Sequence, residues 1–164
     1  EVRYHKKTPV KNVGTDPGRY QGMKYFSDDL NRLEIQKNKS IRVVPQVGYV
    51  PPPLVGIWAR WPYFHNNSAP SLCAVLTKSS DRPSSYWAVK AHNPETDFDK
   101  ECNGYPEPRF ISREWKKKKK YYYDTSKAGM RNTGHDKRIF LDNSGKEYMT
   151  KPQKLDLIEF LKTL

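Results

Sequence analysis

The chain has 164 residues, with 30 Lys and Arg against 18 Asp and Glu for a net charge of +12, and it is only 35% apolar with 13 prolines. That length supports one domain with a real core, but so few apolar residues and so many prolines confine the core to short elements joined by loops. No run approaches the roughly 18 apolar residues that a membrane-spanning helix needs.

Glu1–Lys11 reads as an irregular basic segment. A first helix follows, with Asp16 as N-cap, Pro17 in the first turn, and Tyr20, Met23, Phe26, Leu30 and Leu33 at near-helical spacing. Gly18 and Gly22 weaken it, and a break near Ser27 is expected. Asn38–Pro53 is polar, then β-branched, then a proline triplet, so it is expected to be extended.

Leu54–Leu76, LVGIWARWPYFHNNSAPSLCAVL, places Trp58, Arg60, Trp61, Tyr63, Phe64 and His65 close together. The pattern is that of an ordinary core segment or of a pocket for a flat, partly apolar, anionic ligand, because aromatic rings supply area and a guanidinium supplies a polar handle. Ser68–Thr77 is predicted as a short helix capped by Ser68, with Pro70 in its first turn. Tyr86, Ala88 and Lys90 then alternate with Trp87 and Val89 as in a short strand, for which Phe110–Trp115 is the expected partner. Lys116–Tyr123, KKKKKYYY, reads as a solvated hairpin or loop tip, a face for an acidic partner, or a nucleic-acid contact through phosphates and base stacking. The last element is an amphipathic helix with Thr150 and Gln153 at capping-box spacing and an apolar stripe of Leu155, Leu157, Ile158, Leu161 and Leu164.

No G-x-S-x-G elbow, Walker-type loop or H-E-x-x-H motif is present. Asp28 with Asp29, and Asp97 with Asp99, are surface charges or calcium ligands. Cys73 and Cys102 allow one intrachain disulfide without requiring it. His5 and His92 stand in polar surroundings and are expected to be solvated.

Three stretches carry a resemblance: VGTDP at Val13–Pro17, the aromatic run ending in PYFHN with the Pro- and Leu-containing helix after it, and NTGH at Asn132–His135 followed by LIEFLKTL at the end. Together they resemble the C-terminal haem domain of the di-haem cytochrome c peroxidase superfamily, and within it the rubber-oxygenase-like branch. The resemblance implies a mainly α, loop-rich, cytochrome c-like domain with short helices, a small β-hairpin excursion and a closing amphipathic helix, over residues 1–164 as a single domain. It implies haem c as cofactor, calcium in some relatives, and a bacterial periplasmic or secreted location. It further implies that His135 is the distal axial ligand of an electron-transfer haem, with His65 at the haem edge, Arg60 offsetting a propionate, and Trp58, Trp61 and Tyr63 lining the pocket or a path to another redox centre. Met130 and Met149 are secondary candidates for the iron. No residue here is catalytic in the strict sense, since the reacting haem of such proteins sits in the N-terminal domain.

One departure is large. A c-type haem is attached through C-x-x-C-H, and neither Cys73 nor Cys102 is followed by a histidine. The attachment motif is therefore expected upstream, in an N-terminal haem domain, or on a companion chain. The expected function is the C-terminal portion of a c-type di-haem oxidoreductase of peroxidase or oxygenase type, with an acidic electron-transfer protein as a further partner. The alternatives are a haem-free accessory relative and a basic module for nucleic acid or an anionic surface.

Overall fold

The computed structural model describes residues 13–45, 49, 51–137 and 139–164, so His5 and the basic segment Glu1–Lys11 lie outside the described residues. The chain divides into two compact units, one containing Pro17–Pro52 and the other formed by Val13–Asp16 with Pro53–Leu164.

The first unit holds helix α1 (Gly18–Arg32) and the short helix α2 (Glu34–Asn38). The N-cap position falls at Pro17, one residue after the expected Asp16, and Pro17 supplies no side-chain bond. The expected break near Ser27 is also absent. Ser27 is the buried residue of α1, and its hydroxyl donates to the Lys24 carbonyl at 2.9 Å, which satisfies it without opening the helix. The turn comes instead at Leu33, whose extended backbone separates the two helices. Asn31 then pins the following segment with two bonds, accepting from the Val43 N–H at 2.7 Å and donating to the Val43 carbonyl at 2.8 Å.

The second unit is built on α3 (Leu72–Val75), α4 (Arg113–Lys117), α5 (Lys151–Leu161) and a two-stranded antiparallel sheet of β1 (Ser85–Trp87) and β2 (Tyr122–Asp124). Its core joins Tyr63, Ala69, Leu72, Ala74 and Ile158, with Leu155 and Leu161 packed against it. The closing helix α5 is as the sequence predicts: Thr150 and Gln153 form the capping box, and Ile158 is buried. Helix α3 is shorter than predicted, and Ser71 rather than Ser68 caps it by accepting from the Ala74 N–H. The cause is pairing just before it: Tyr63 and Ala69 exchange backbone bonds of 2.7 and 3.3 Å, and the Pro70 carbonyl accepts from Tyr105, so residues 69–70 are extended.

The strand at Tyr86 is present, but its partner is not Phe110–Trp115. Ser112 accepts from the Trp115 N–H and starts α4, and the partner strand is drawn from the end of the lysine and tyrosine run, with Tyr86 opposite Tyr123. Cys73 and Cys102 form a disulfide that ties α3 to the loop before Gly104. The coarse expectation of short helices and long loops holds, whereas the expected small hairpin is a two-stranded antiparallel sheet whose strands are separated by a long connection that includes α4.

Candidate functional site

The loop from Tyr63 to Ala69 is the frame of the site. Its base is the Tyr63–Ala69 backbone pair, and Phe64 and Asn67 both take positive φ, at 66° and 63°. A non-glycine residue there is uncommon and persists only when its surroundings fix it. Those surroundings are specific. The sheet tyrosines Tyr86 and Tyr123 donate their hydroxyls to the Asn67 and Asn66 carbonyls, and the Asn66 side chain donates to the carbonyls of Gly129 (3.2 Å) and Arg131 (2.9 Å).

Against this loop lies the NTGH segment. Gly134 has φ 74°, and the chain passes so close to Val13 and Gly14 that a Cβ at Gly134 would stand 2.2 Å from the Val13 carbonyl oxygen. Only glycine combines that φ with that approach. The next residue, His135, has φ 60° and donates its N–H to the same Val13 carbonyl at 2.8 Å. Its imidazole stacks on Phe64, with centroids 4.2 Å apart and planes 12° from parallel.

The three motif segments meet at one hydroxyl. Thr15 Oγ1 lies 2.7 Å from His135 Nε2 and 3.3 Å from His65 Nδ1, and the two imidazole centroids are 6.4 Å apart. A hydroxyl has a single proton, so Thr15 donates to one imidazole at most and its oxygen accepts from the other, which couples their tautomers. Beside Thr15, the buried Asp16 accepts from the Arg131 N–H. Burial, reinforced by the nearby charge of Arg82 and by His65, lowers the His135 pKa to about 4, so the imidazole is neutral over the physiological range.

Arg82 is only 6% exposed. Its Nε donates to the carbonyls of Thr77 (2.9 Å) and Ala74 (3.1 Å), and its Nη1 to those of Asn132 (2.5 Å) and Gly134 (2.6 Å), so one guanidinium fixes both the end of α3 and the NTGH turn. Its carbon lies 4.9 Å from the centre of the Phe64 ring. Burial lowers its pKa to about 10 against the opposing pull of Asp136. Burial raises the Asp136 carboxyl, but donation from Ser79 and Lys137 together with the charge of Arg82 outweighs this and leaves its pKa below the usual value.

Of the residues singled out from sequence, the structure brings Phe64, His65 and His135 together. The rest of them lie elsewhere. Trp58 is 48% exposed, and Arg60 is exposed with Nη1 donating to the Pro53 carbonyl at 3.1 Å. Trp61 packs edge-on against Tyr105, with centroids 4.7 Å apart. Tyr63 is buried with its hydroxyl accepting from Asn103 Nδ2 at 2.7 Å, and burial raises its pKa to about 12. His92 stands edge-on to Trp115. Sequence reasoning passed over Thr15, Arg82 and Asp136, and singled out Phe64 only as a member of the aromatic run. Thr15 and Asp136 lie within or beside quoted motifs, but Arg82 has no local signal, because its role depends on carbonyls some fifty positions away.

Among the described residues no group of three or more His, Cys, Asp or Glu side chains is arranged to hold a metal ion. Asp97 and Asp99 cap their own loop, accepting from the N–H groups of Asn93 and Cys102, and Asp29 pairs with Arg32. A haem fits this chain in one respect. The half-buried, neutral imidazole of His135 has the protonation state an axial ligand needs, whereas both cysteines are consumed by the disulfide and offer no thiol for attachment. A cleft of about 440 Å³ lies apart from the histidines, over the disulfide between Pro70, Tyr86, Tyr105 and Pro106.

Residues 48–88 match the family described as RoxA-like, cytochrome c-like. Two proteins of Sinorhizobium fredii (strain NBRC 101917 / NGR234), the uncharacterized proteins y4iJ and y4iM, are each 34% identical to the chain, over 131 and 137 residues. The alignments take in 77% and 74% of this chain but only 20% and 29% of the two relatives, so the chain spans less than a third of the length of the curated relatives it matches. Through the segment that carries Phe64, His65 and Arg82, the chain is similar to RoxA-like cytochrome c-like domains.

Proposed function

We propose that the chain is the C-terminal, closing portion of a c-type di-haem oxidoreductase of peroxidase or oxygenase type, and that His135 is the distal axial ligand of its electron-transfer haem. The observation that carries this reading is the convergence of three separated motif segments on the Thr15 hydroxyl, with His65 and His135 on either side of it. When bound, the haem supplies one-electron transfer. The chain keeps the His135 imidazole neutral by burial, fixes its ring against Phe64, and couples its tautomer to that of His65 through Thr15. Attachment cysteines come from an N-terminal haem domain or a companion chain. No described helix is long and apolar enough to cross a membrane. A disulfide is stable in the oxidising bacterial periplasm or outside the cell, which is where this reading places the protein.

In the full protein carrying C-x-x-C-H, His135→Ala converts the C-terminal haem from six-coordinate low-spin to five-coordinate or water-ligated, with attachment intact. Optical and electron paramagnetic resonance spectra read this directly, and unchanged low-spin signals overturn it. Two observations favour a second reading, a haem-free accessory relative: His135 Nε2 already has a partner in Thr15 at 2.7 Å, and no thiol is free. Purified full protein without a Soret band selects that reading.

A further inference from the structure

Arg82 is a cation without a counter-anion in contact. It is 6% exposed, no ion pair among the described residues includes it, and its Nη2 is buried with no hydrogen-bond partner. The four groups it does bond are neutral carbonyls. The nearby carboxylate, Asp136, is committed to the N–H groups of Ser79 and Lys137. A buried guanidinium whose Nε and Nη1 are held by carbonyls and whose Nη2 is unsatisfied is unfavourable unless an acceptor reaches that nitrogen, and a carboxylate oxygen is the acceptor whose charge would also be offset there. The site next to it already holds the two histidines and Phe64, the ring over which the guanidinium lies.

We propose that Arg82 is the carboxylate-binding residue of this site, with Nη2 donating to a carboxylate of the bound ligand. Arg60, which the resemblance assigns to a propionate, is exposed and bonds to Pro53 instead. Two sources offer the same chemistry, a propionate of a tetrapyrrole or a small free carboxylate. The first source rests on the haem reading above; the anion site does not.

The test uses the 164-residue chain and two iron-free probes, mesoporphyrin IX and its dimethyl ester, with sodium propionate against sodium chloride at equal ionic strength. For the tetrapyrrole source the wild type binds the diacid about tenfold more tightly than the diester, as read by porphyrin fluorescence, and Arg82→Gln binds the two equally. For the free-carboxylate source the diacid and diester bind alike, but propionate raises the wild-type Tm above that in chloride and leaves Arg82→Gln unchanged. Because Arg82→Gln also frees four carbonyls and risks unfolding, Arg82→Lys, which keeps the charge and loses Nη2, is measured beside it and is expected to retain only part of either preference.

A wild type that shows neither a diacid preference nor a propionate effect overturns the proposal without any variant. So does a variant that keeps the full preference. Because the probes contain no iron, His135→Ala leaves the preference in place. A diacid preference that survives while the haem protein keeps its low-spin spectrum in His135→Ala rejects the axial ligand and upholds Arg82.

Discussion

The α-carbon of Gly134 sits so close to Val13 that a Cβ would meet the Val13 carbonyl oxygen at 2.2 Å, while the N–H of the following His135 donates to that same oxygen at 2.8 Å. The close approach and the hydrogen bond are one feature. Gly134→Ala must either move the NTGH turn away from the Val13–Asp16 segment or force a strained φ, at a cost of about 2–4 kcal/mol. Denaturant unfolding measures the loss. Gly145, also at positive φ but with open space around it, provides the control, since Gly145→Ala carries the φ strain without the clash and costs less.

Thr15→Val keeps the shape of the side chain and removes the hydroxyl shared by the two imidazoles. A half-buried His135 Nε2 then loses its partner, which costs about 1–3 kcal/mol. Imidazole nitrogen shifts in NMR are expected to change for both His65 and His135, because Thr15 bonds to both. Thr15→Ser restores both. A change confined to one ring contradicts the shared hydroxyl.

The parts of this arrangement that could be read from sequence are those encoded locally. The capping box at Thr150 and Gln153 is a three-residue spacing, and a glycine before His135 is enough to suggest an unusual turn. The first-helix cap is displaced by one residue, to Pro17, and the Asp16 carboxylate also accepts from the N–H of Arg131, 115 positions away, a partner no local pattern announces. The strand pairing differs as well. Phe110–Trp115 has the composition of a strand, yet the hydroxyl of Ser112 starts a helix there and leaves Tyr122–Asp124 to pair with β1. Aromatic density marked the right segment, but the side chains that face the histidines were chosen by tertiary contact: Phe64 at positive φ points to His135, whereas Trp61 joins Tyr105.

Acid destabilises this protein through His135. Its pKa is about 4 in the folded chain and about 6.5 when unfolded, so between these values the unfolded chain binds a proton that the native state refuses. Stability is therefore complete above about pH 6.5 and declines as the pH falls toward 4, by about 3 kcal/mol for this group. Asp136, whose pKa is lowered, contributes its own loss only at more acidic pH. Unfolding free energy measured from pH 7 to 4 in wild type and His135→Gln checks this, and equal slopes in the two proteins reject the assignment.

The disulfide links residues 29 positions apart and anchors α3, which packs against α5. Replacing both Cys73 and Cys102 by Ser is expected to cost about 3–4 kcal/mol by the entropy of the closed loop. Loss of the α3 anchor also loosens the nearby end of the helix, where the Ala74 and Thr77 carbonyls accept from Arg82. A reduced protein that melts with the oxidised one shows that the packing of Ile158 and Leu72 suffices.

The lysine run separates into two kinds of residue. Lys116, Lys117, Lys119 and Lys120 are exposed, whereas Lys118 turns back to pair with Glu114 at 2.8 Å and lies 4.2 Å from the centre of the Trp115 ring. Changing Lys116, Lys117 and Lys119 together to Gln is expected to leave Tm within a degree or two, because exposed lysines repel one another and contribute little to the fold. The same variant weakens association with an acidic protein at low ionic strength, and the difference from wild type vanishes as salt screens the charges. Lys118→Gln behaves differently. It removes the hydrogen bond and charge that lower the Glu114 pKa, so that carboxyl titrates closer to its ordinary value, and it lowers Tm more than the triple change does. A triple variant that melts early shows that these side chains are buried against another surface, and then Lys118 is no longer the exception in the run.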